Sequence, residues 1–539
     1  MRSVRRAACH IAGGLLCLAV PLAAEIRLPA IVSDHAMFQA NKPVAIWGWA
    51  RPESTVHVVF RPGLGGSKDF TATADAKGNW NGFLEAMTAG TSGELTVSAQ
   101  SEADVRVKDI LVGEVWLASG QSNMEYDIAG TGRTDLKNPS EIAAVAQNIR
   151  EAAAEAVAAR PEIRYFKVGI HRAAEPEDDV RGRWVLMDAA HVPKSSAVAW
   201  NFIYMLHVRL GAPAGVIVSA VGNTPIETWM SRQSLKSTHV GQSIYERSEA
   251  ELAEASPDKI AAYTSAEKAW ETANSTPELM AANKSSRPRP PANLSAANYI
   301  PNQYYDGMIR GLQPYTVRGV IWYQGVGNMG HPTEYGELFP ALIKQWRADW
   351  RDPALPFLFV EESNFGIKQS QPVEENAVSL IREQQHMALD LADVGMTCSI
   401  DLGNGNPHFP NKRAVGERLA SLALHDIYGR SGQPHCPIFQ SYKVEGQRIR
   451  LRFRNAEGLR SREQGTLRGF AIRGKAGDWL WAEGRVEGNS IIVSNRNIPA
   501  PRSVRYAWAV NPTASVENGE GLPLCPFRTD GGAVERDRH

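Results

Sequence analysis

The sequence predicts an α/β protein: a three-layer domain built on a parallel sheet, flanked by an N-terminal and a C-terminal β-domain. Three patterns carry this. Short strand-type segments split by Gly, Pro and Asn-Gly turn signals fill residues 25–108. From about 109, continuous apolar runs alternate with helical stretches. After about 432, period-two alternation of apolar and polar residues returns. At 539 residues the chain is too long for one compact core and divides into several domains.

The first element is not structural. Met1-Arg-Ser-Val-Arg-Arg is basic, residues 7–22 are largely apolar, and Leu22-Ala23-Ala24 precedes Glu25. This predicts a secretory signal peptide over 1–24, cleaved after Ala24, and an exported chain, periplasmic or secreted. An uncleaved anchor needs about 20 apolar residues, and this run is shorter and broken by Gly and Pro. No later run is long enough to span a bilayer.

Residues 25–108 are expected to form a small β-sandwich, from Val44-Ala-Ile-Trp-Gly-Trp, Thr55-Val-His-Val-Val-Phe, Phe70-Thr-Ala-Thr-Ala and Glu94-Leu-Thr-Val-Ser-Ala. Packing against the next domain suits it better than sugar binding, since no exposed aromatic platform is marked. Residues 109–431 then read as the parallel-sheet domain. Its strands are expected at Ile110–Leu117, Glu162–Val168, Gly215–Ala220, Gly319–Tyr323, Phe357–Val360 and Met396–Ile400. Helices are expected at 141–158, 196–210, 335–350, 375–392 and 411–428. Right-handed crossovers would gather every strand C-terminus at one edge, where α/β active sites lie. A polar, Ala/Glu/Ser-rich stretch ending in the Pro-rich 284–291 reads as a helical insertion and linker over 232–290, either a rim of the site or a surface excursion. Residues 432–539 close the chain as a second β-domain, with Gln447-Arg-Ile-Arg-Leu-Arg-Phe its clearest strand.

Charge and cysteine usage narrow the function. With 58 basic and 58 acidic residues the formal charge is zero, and no basic stripe argues for nucleic acid. Cys9 and Cys17 leave with the signal peptide; Cys398, Cys436 and Cys525 remain. Three cysteines make no disulfide framework, although a Cys436–Cys525 bond is compatible with export. Without CxxC or HExxH spacing, no metal or cofactor is expected. The Asn293-Leu-Ser sequon has meaning only in a glycosylating organism.

The chemistry concentrates at Val112-Gly-Glu-Val-Trp-Leu-Ala-Ser-Gly-Gln-Ser-Asn-Met-Glu, an apolar run ending on a Gly-Gln-Ser-Asn turn. Ser122 stands at the expected strand end, with a helix dipole and free N–H groups expected behind it. Either a nucleophile or a helix cap fits that position. Three other strand ends are expected to converge there. Gly222, in Ser219-Ala-Val-Gly-Asn-Thr-Pro-Ile-Glu-Thr-Trp, allows a backbone N–H to approach a ligand, or is an ordinary turn glycine. Gln324 and Asn328, in Ile321-Trp-Tyr-Gln-Gly-Val-Gly-Asn, offer amides of the kind that stabilise an oxyanion. His408, in Asp401-Leu-Gly-Asn-Gly-Asn-Pro-His-Phe-Pro-Asn-Lys, is the leading general base.

These ordered motifs, with Leu28-Pro-Ala-Ile-Val-Ser-Asp-His, Arg318-Gly-Val-Ile-Trp-Tyr-Gln-Gly, Val415-Gly-Glu-Arg-Leu-Ala and Gly521-Leu-Pro-Leu-Cys-Pro-Phe, resemble the bacterial sialate O-acetylesterases, carbohydrate esterases of the SGNH-hydrolase type. The resemblance covers nearly the whole mature chain except 232–290. It implies an SGNH-hydrolase-like central domain, Ser122 as nucleophile and His408 as base. The Ser122 and Gly222 N–H groups, with the amide of Gln324 or Asn328, would form the oxyanion hole. No cofactor is implied, and the partner is an acetylated sugar or glycan. The neighbouring acetylxylan-type polysaccharide deacetylases share the nucleophile block.

Two positions depart from the family pattern. Val326 and Gly327 stand where Gln-Gly-Glu-Ser-Asn supplies a carboxylate and a hydroxyl. Gly405 and Asn406 stand where related hydrolases carry an Asp before the histidine. Asp401 is the remaining loop carboxylate that would complete a triad; otherwise a Ser–His pair or a catalytically weakened glycan-binding protein results.

Overall fold

The computed structural model describes residues 25–531, apart from 101, 131–137, 255–256, 275–285, 287, 289–298 and 464. The expected signal peptide, most of the expected linker and the Asn293 sequon lie outside the described residues. Among those described, no helix is long and apolar enough to cross a membrane.

The central sheet runs in the order Val394–Cys398, Phe357–Glu361, Gly319–Tyr323, Val105–Gly120, Ala214–Ala220, Ile163–Lys167, Trp184–Leu186. All neighbours are parallel except the last pair. Apolar side chains along each strand alternate between two cores, as the period of two requires. Val115, Leu117, Val320, Trp322, Phe357 and Phe359 join the core beneath the helices Tyr335–Asp349 and Ala377–Gln385. Trp116, Ala118, Ile321, Tyr323, Leu358 and Val360 join the other, under Pro139–Ala158, Ala197–Leu210 and Lys412–Asp426. Both faces are covered, which is why these strands read as unbroken apolar runs. Local signals set the helix ends: Asn138 caps the first of these helices ahead of Pro139, and Ser196 Oγ accepts the Ala199 N–H at 3.1 Å.

The expected purely parallel sheet is in fact part of a mixed one. The sixteen-residue strand Val105–Gly120 pairs first with Ser92–Ala99, antiparallel, and with Met37–Gln39, and only then enters the central sheet. Eleven strands therefore form one continuous sheet across residue 108. A separate ribbon, Val44–Trp49 with Asn79–Leu84, completes the N-terminal layers. The short edge strand Trp184–Leu186 has no counterpart in the sequence reading, and the strand expected at Met396–Ile400 begins two residues earlier. Residues 232–273 contain the helices Arg232–Lys236, Gly241–Glu254 and Pro257–Ala273. In the C-terminal part, Arg448–Arg454 buries alternate residues against a core of its own, and two four-stranded sheets pack there. Part of its attachment to the central domain is polar, with fully buried Arg382 donating to the carbonyls of Ala509 and Val510, and part is apolar, with Cys436 and Cys525 in the central core.

Candidate active site

Ser122 lies at the C-terminal edge of the central strand, in the middle of the sheet. Gly120 brings the chain there. Its φ is 137°, and a Cβ on it would stand 2.2 Å from the Tyr323 carbonyl oxygen, so only glycine fits. The next N–H, of Gln121, then donates to that same oxygen at 2.9 Å. The cap position is held by Gln121, and Ser122 is the first residue of the helix, so the capping role is not the one it plays. The expected dipole is also weak, because this helix is only the single turn Ser122–Glu125.

The serine is 7 % exposed, and its Oγ sits 3.0 Å from His408 Nε2. Residues 286 positions apart in sequence are thus within proton-transfer distance. The His408 N–H bonds Asn406 Oδ1 at 2.8 Å, which fixes the backbone turn that presents the ring. Tyr126 meets the imidazole edge to face, with ring centroids 4.4 Å apart. Beside the serine, Asn123 Oδ1 accepts from the buried Lys412 Nζ at 2.6 Å, and that ammonium lies 3.5 Å over the Phe409 ring.

The carboxylate expected behind His408 is elsewhere. Asp401 gives both oxygens to Arg418, at 2.7 Å each, and one of them also to Arg462 at 2.6 Å. Burial pushes its carboxyl up, but the two guanidiniums outweigh that and hold it below the usual range. It ties the base loop to the C-terminal part and does not support the imidazole. A second carboxylate, unforeseen from sequence, contacts the same loop. Glu141, 8 % exposed in the first turn of Pro139–Ala158, accepts from Asn404 at 2.8 Å and Asn406 at 3.2 Å. It braces the base loop through its amides.

Of the three other expected oxyanion donors, Gly222 is occupied and the amides of Gln324 and Asn328 need correction. The Gly222 N–H does face the serine, but it donates to Glu125 Oε2 at 2.6 Å. Burial raises the Glu125 pKa, and the Gly222 N–H pulls it back only in part. Gln324 spends Nε2 on Thr224 O at 3.0 Å and Asn328 Oδ1 at 2.9 Å. Asn328 accepts the Ile226 N–H at 2.9 Å and donates to Glu227 Oε2 at 2.8 Å. Both amides brace the Thr224-Pro-Ile-Glu-Thr-Trp loop, which Trp229 Nε1 closes onto Thr224 Oγ1 at 2.9 Å. They are struts for the loop that carries Gly222.

The departures at Val326 and Gly327 have a local cause. A Cβ on Gly327 would fall 2.3 Å from the Thr224 carbonyl oxygen, so a serine does not fit against this loop. A carboxylate does stand nearby, from another strand: Glu362 Oε1 accepts the Val326 N–H at 3.3 Å, and burial pushes its pKa up to about 7. Alongside, a cleft of about 300 Å³ is lined by Asn223, Glu227, Gly327 and Asn328 on one side and by Ile244 and Arg247 of the insertion on the other. The insertion therefore forms a rim, and Arg247 is anchored across it by Glu334 at 2.7 Å.

A family model described as carbohydrate esterase, sialic acid-specific acetylesterase, matches residues 295–425. The sialate O-acetylesterase of Mus musculus is 25 % identical over 547 residues, spanning 93 % of this chain and 94 % of that protein. The Rattus norvegicus enzyme is 27 % identical, with the same coverage of each chain. The crystal structure of a carbohydrate acetylesterase from Xanthomonas citri superimposes with a TM-score of 0.74 at 31 % identity, covering 94 % of this chain and 99 % of that one. The chain belongs to the carbohydrate acetylesterases, and within them it is similar to the sialate O-acetylesterases.

Proposed function

We propose that the protein is an exported serine esterase that removes O-acetyl groups from sialic acid or from other acetylated glycans, on an SGNH-hydrolase-like domain. The single observation that carries the mechanism is the 3.0 Å contact between Ser122 Oγ and His408 Nε2 at the sheet edge. His408 takes the hydroxyl proton as Ser122 attacks the acetyl carbonyl. The Ser122 and Gly222 N–H groups receive the developing oxyanion, once the substrate has displaced Glu125 from Gly222. Collapse expels the sugar hydroxyl, which takes the proton from His408. Water then attacks the acetyl-serine with the same base, releasing acetate.

The sugar is assigned to the cleft between Asn223 and the insertion helix, with Arg247 and Glu227 at its wall. Family membership supports deacetylation of a carbohydrate, and the cleft does not choose between sialate and a plant polysaccharide. The test is acetate release by wild type and Ser122→Ala from 9-O-acetyl sialate, acetylated xylan and p-nitrophenyl acetate. Wild type is expected to exceed the variant by about 10³-fold or more on its preferred substrate. Equal rates would remove Ser122 from the mechanism, and a wild type inactive on all three would favour a glycan-binding role.

A further inference from the structure

A second cluster of reactive side chains lies away from the serine, at the junction of the central domain and the C-terminal part. Glu361 and Cys398 end adjacent parallel strands and are direct register partners, so their side chains share one face of the sheet. Facing them are Cys436 and Cys525, whose segments are joined by the Cys525 N–H to Pro437 carbonyl bond at 3.0 Å. All four residues are at most 1 % exposed, and all three thiols are free, so the Cys436–Cys525 disulfide left open by the sequence is absent.

From these residues we infer a structural zinc site, with the three cysteine sulfurs and the Glu361 carboxylate as its four ligands. Three of the four ligand atoms already converge, and Cys436 adjoins them through Cys525 and the Cys398 N–H. The ligand atoms of Glu361, Cys398 and Cys525 all lie within 4.8 Å of one another. Cys398 Sγ is 2.9 Å from Glu361 Oε2, and the Cys525 thiol is in hydrogen-bonding contact with both Cys398 and Cys436. Three sulfurs and one hard oxygen, all from buried residues, match four-coordinate structural zinc and disfavour calcium or magnesium.

The surroundings are those of a metal site as well. His386 Nε2 bonds the other Glu361 oxygen at 2.6 Å, an outer partner that orients the carboxylate. The Cys398 N–H donates to Cys436 Sγ at 3.3 Å, as backbone amides do to bound thiolates. Two cations offset the ligand charge. Arg418 donates to the Cys398 carbonyl at 2.7 Å, and the fully buried Arg382 stands beside Glu361 and Cys398. On binding, Zn²⁺ replaces the three thiol protons, which pass to solvent, and four sulfur–zinc and oxygen–zinc bonds in all close the shell. The site would pin the start of the loop that carries His408 to the C-terminal part.

The test uses the full chain, reduced, reconstituted with Zn²⁺ and dialysed. The expected result is one zinc per chain by elemental analysis, with all five cysteine thiols of the full chain titrating after denaturation in chelator. Co²⁺ in place of Zn²⁺ is expected to give thiolate-to-metal charge-transfer absorption. His386→Ala, which keeps every ligand, is expected to weaken zinc about 10–100-fold, and Ser122→Ala to retain it in full. Failure of the reduced wild-type chain to hold zinc overturns the assignment. So does a disulfide within the trio in protein recovered from its export compartment. Neither readout depends on esterase activity.

Discussion

Replacing Gln324 by Met removes an amide without opening a cavity, and the structure assigns the result to stability and not to turnover. The wild-type Nε2 group makes two hydrogen bonds, to Thr224 O and Asn328 Oδ1. Asn328 Oδ1 keeps the Ile226 N–H, so that loss is the net value of one hydrogen bond, about 1 kcal/mol. Thr224 is 0 % exposed and its carbonyl loses this donor, a cost of about 1–3 kcal/mol. Part returns, because Gln324 Oε1 is itself buried without a partner and Met removes that burden. The balance is a destabilisation of about 1–3 kcal/mol, read as a lowered melting temperature. Initial rates on p-nitrophenyl acetate, taken where both proteins are folded, are expected to stay within about threefold. A true oxyanion donor behaves oppositely, losing about 10²–10³ in kcat. A drop of that size with an unchanged melting temperature would refute the strut assignment.

Three further outcomes follow from the same neighbourhood. Asp401→Asn leaves Arg418 without its carboxylate and Arg462 with Glu517 alone, and is expected to cost about 3 kcal/mol of stability in thermal unfolding, with partial exposure of the arginines trimming the full buried-pair value. The pH–rate profile of the folded variant should keep its shape, and a displaced limb would make Asp401 the partner of His408. Glu362, whose pKa rises from 4.5 to about 7 in the fold, binds its proton more tightly folded than unfolded, so its contribution to stability declines as pH rises from about 4.5 to about 7. Glu362→Gln is therefore expected to gain on the order of 3 kcal/mol over wild type at pH 8 and nothing below pH 4, measured by denaturant unfolding; a pH-independent difference would contradict this. Glu125→Ala frees the Gly222 N–H from a charge-assisted bond and is expected to raise kcat/KM on p-nitrophenyl acetate by about tenfold or more. A fall would show that Glu125 holds the substrate.

The parallel sheet was legible because strands buried on both faces are written as apolar runs, and Gly319–Tyr323 carries that pattern without ambiguity. Ser122 and His408 were legible because each follows such a run, and strand direction sends both to one edge. What the sequence could not supply was the destination of polar groups. Asp401 reads as a triad acid until Arg418, 17 residues on, and Arg462, from another part of the chain, close on it. Gln324 and Asn328 look like oxyanion amides because an amide carries no sign of where it donates. Glu141 lies in an expected helix, and nothing local marks it as buried against Asn404 and Asn406. The cysteine cluster escapes for the same reason, since Glu361, Cys398, Cys436 and Cys525 come from four separate segments and show no motif spacing. Glu125 and Lys412 were inside recognised motifs, and only the packing gives them partners.

The strand Val105–Gly120, roughly 50 Å of extended chain, is shared by the N-terminal layers and the catalytic sheet. Such sharing makes the N-terminal part an inseparable organ of the enzyme and not an exchangeable appendage. A recombination event at residue 108 would cut the very ribbon that aims Ser122, and half of its hydrogen-bonding partners would go with the discarded piece. A slip of one residue anywhere along it would turn every later side chain to the opposite face. The helices of residues 232–273 lie outside this ribbon, while the N-terminal layers and Ser122 are held by it as one unit.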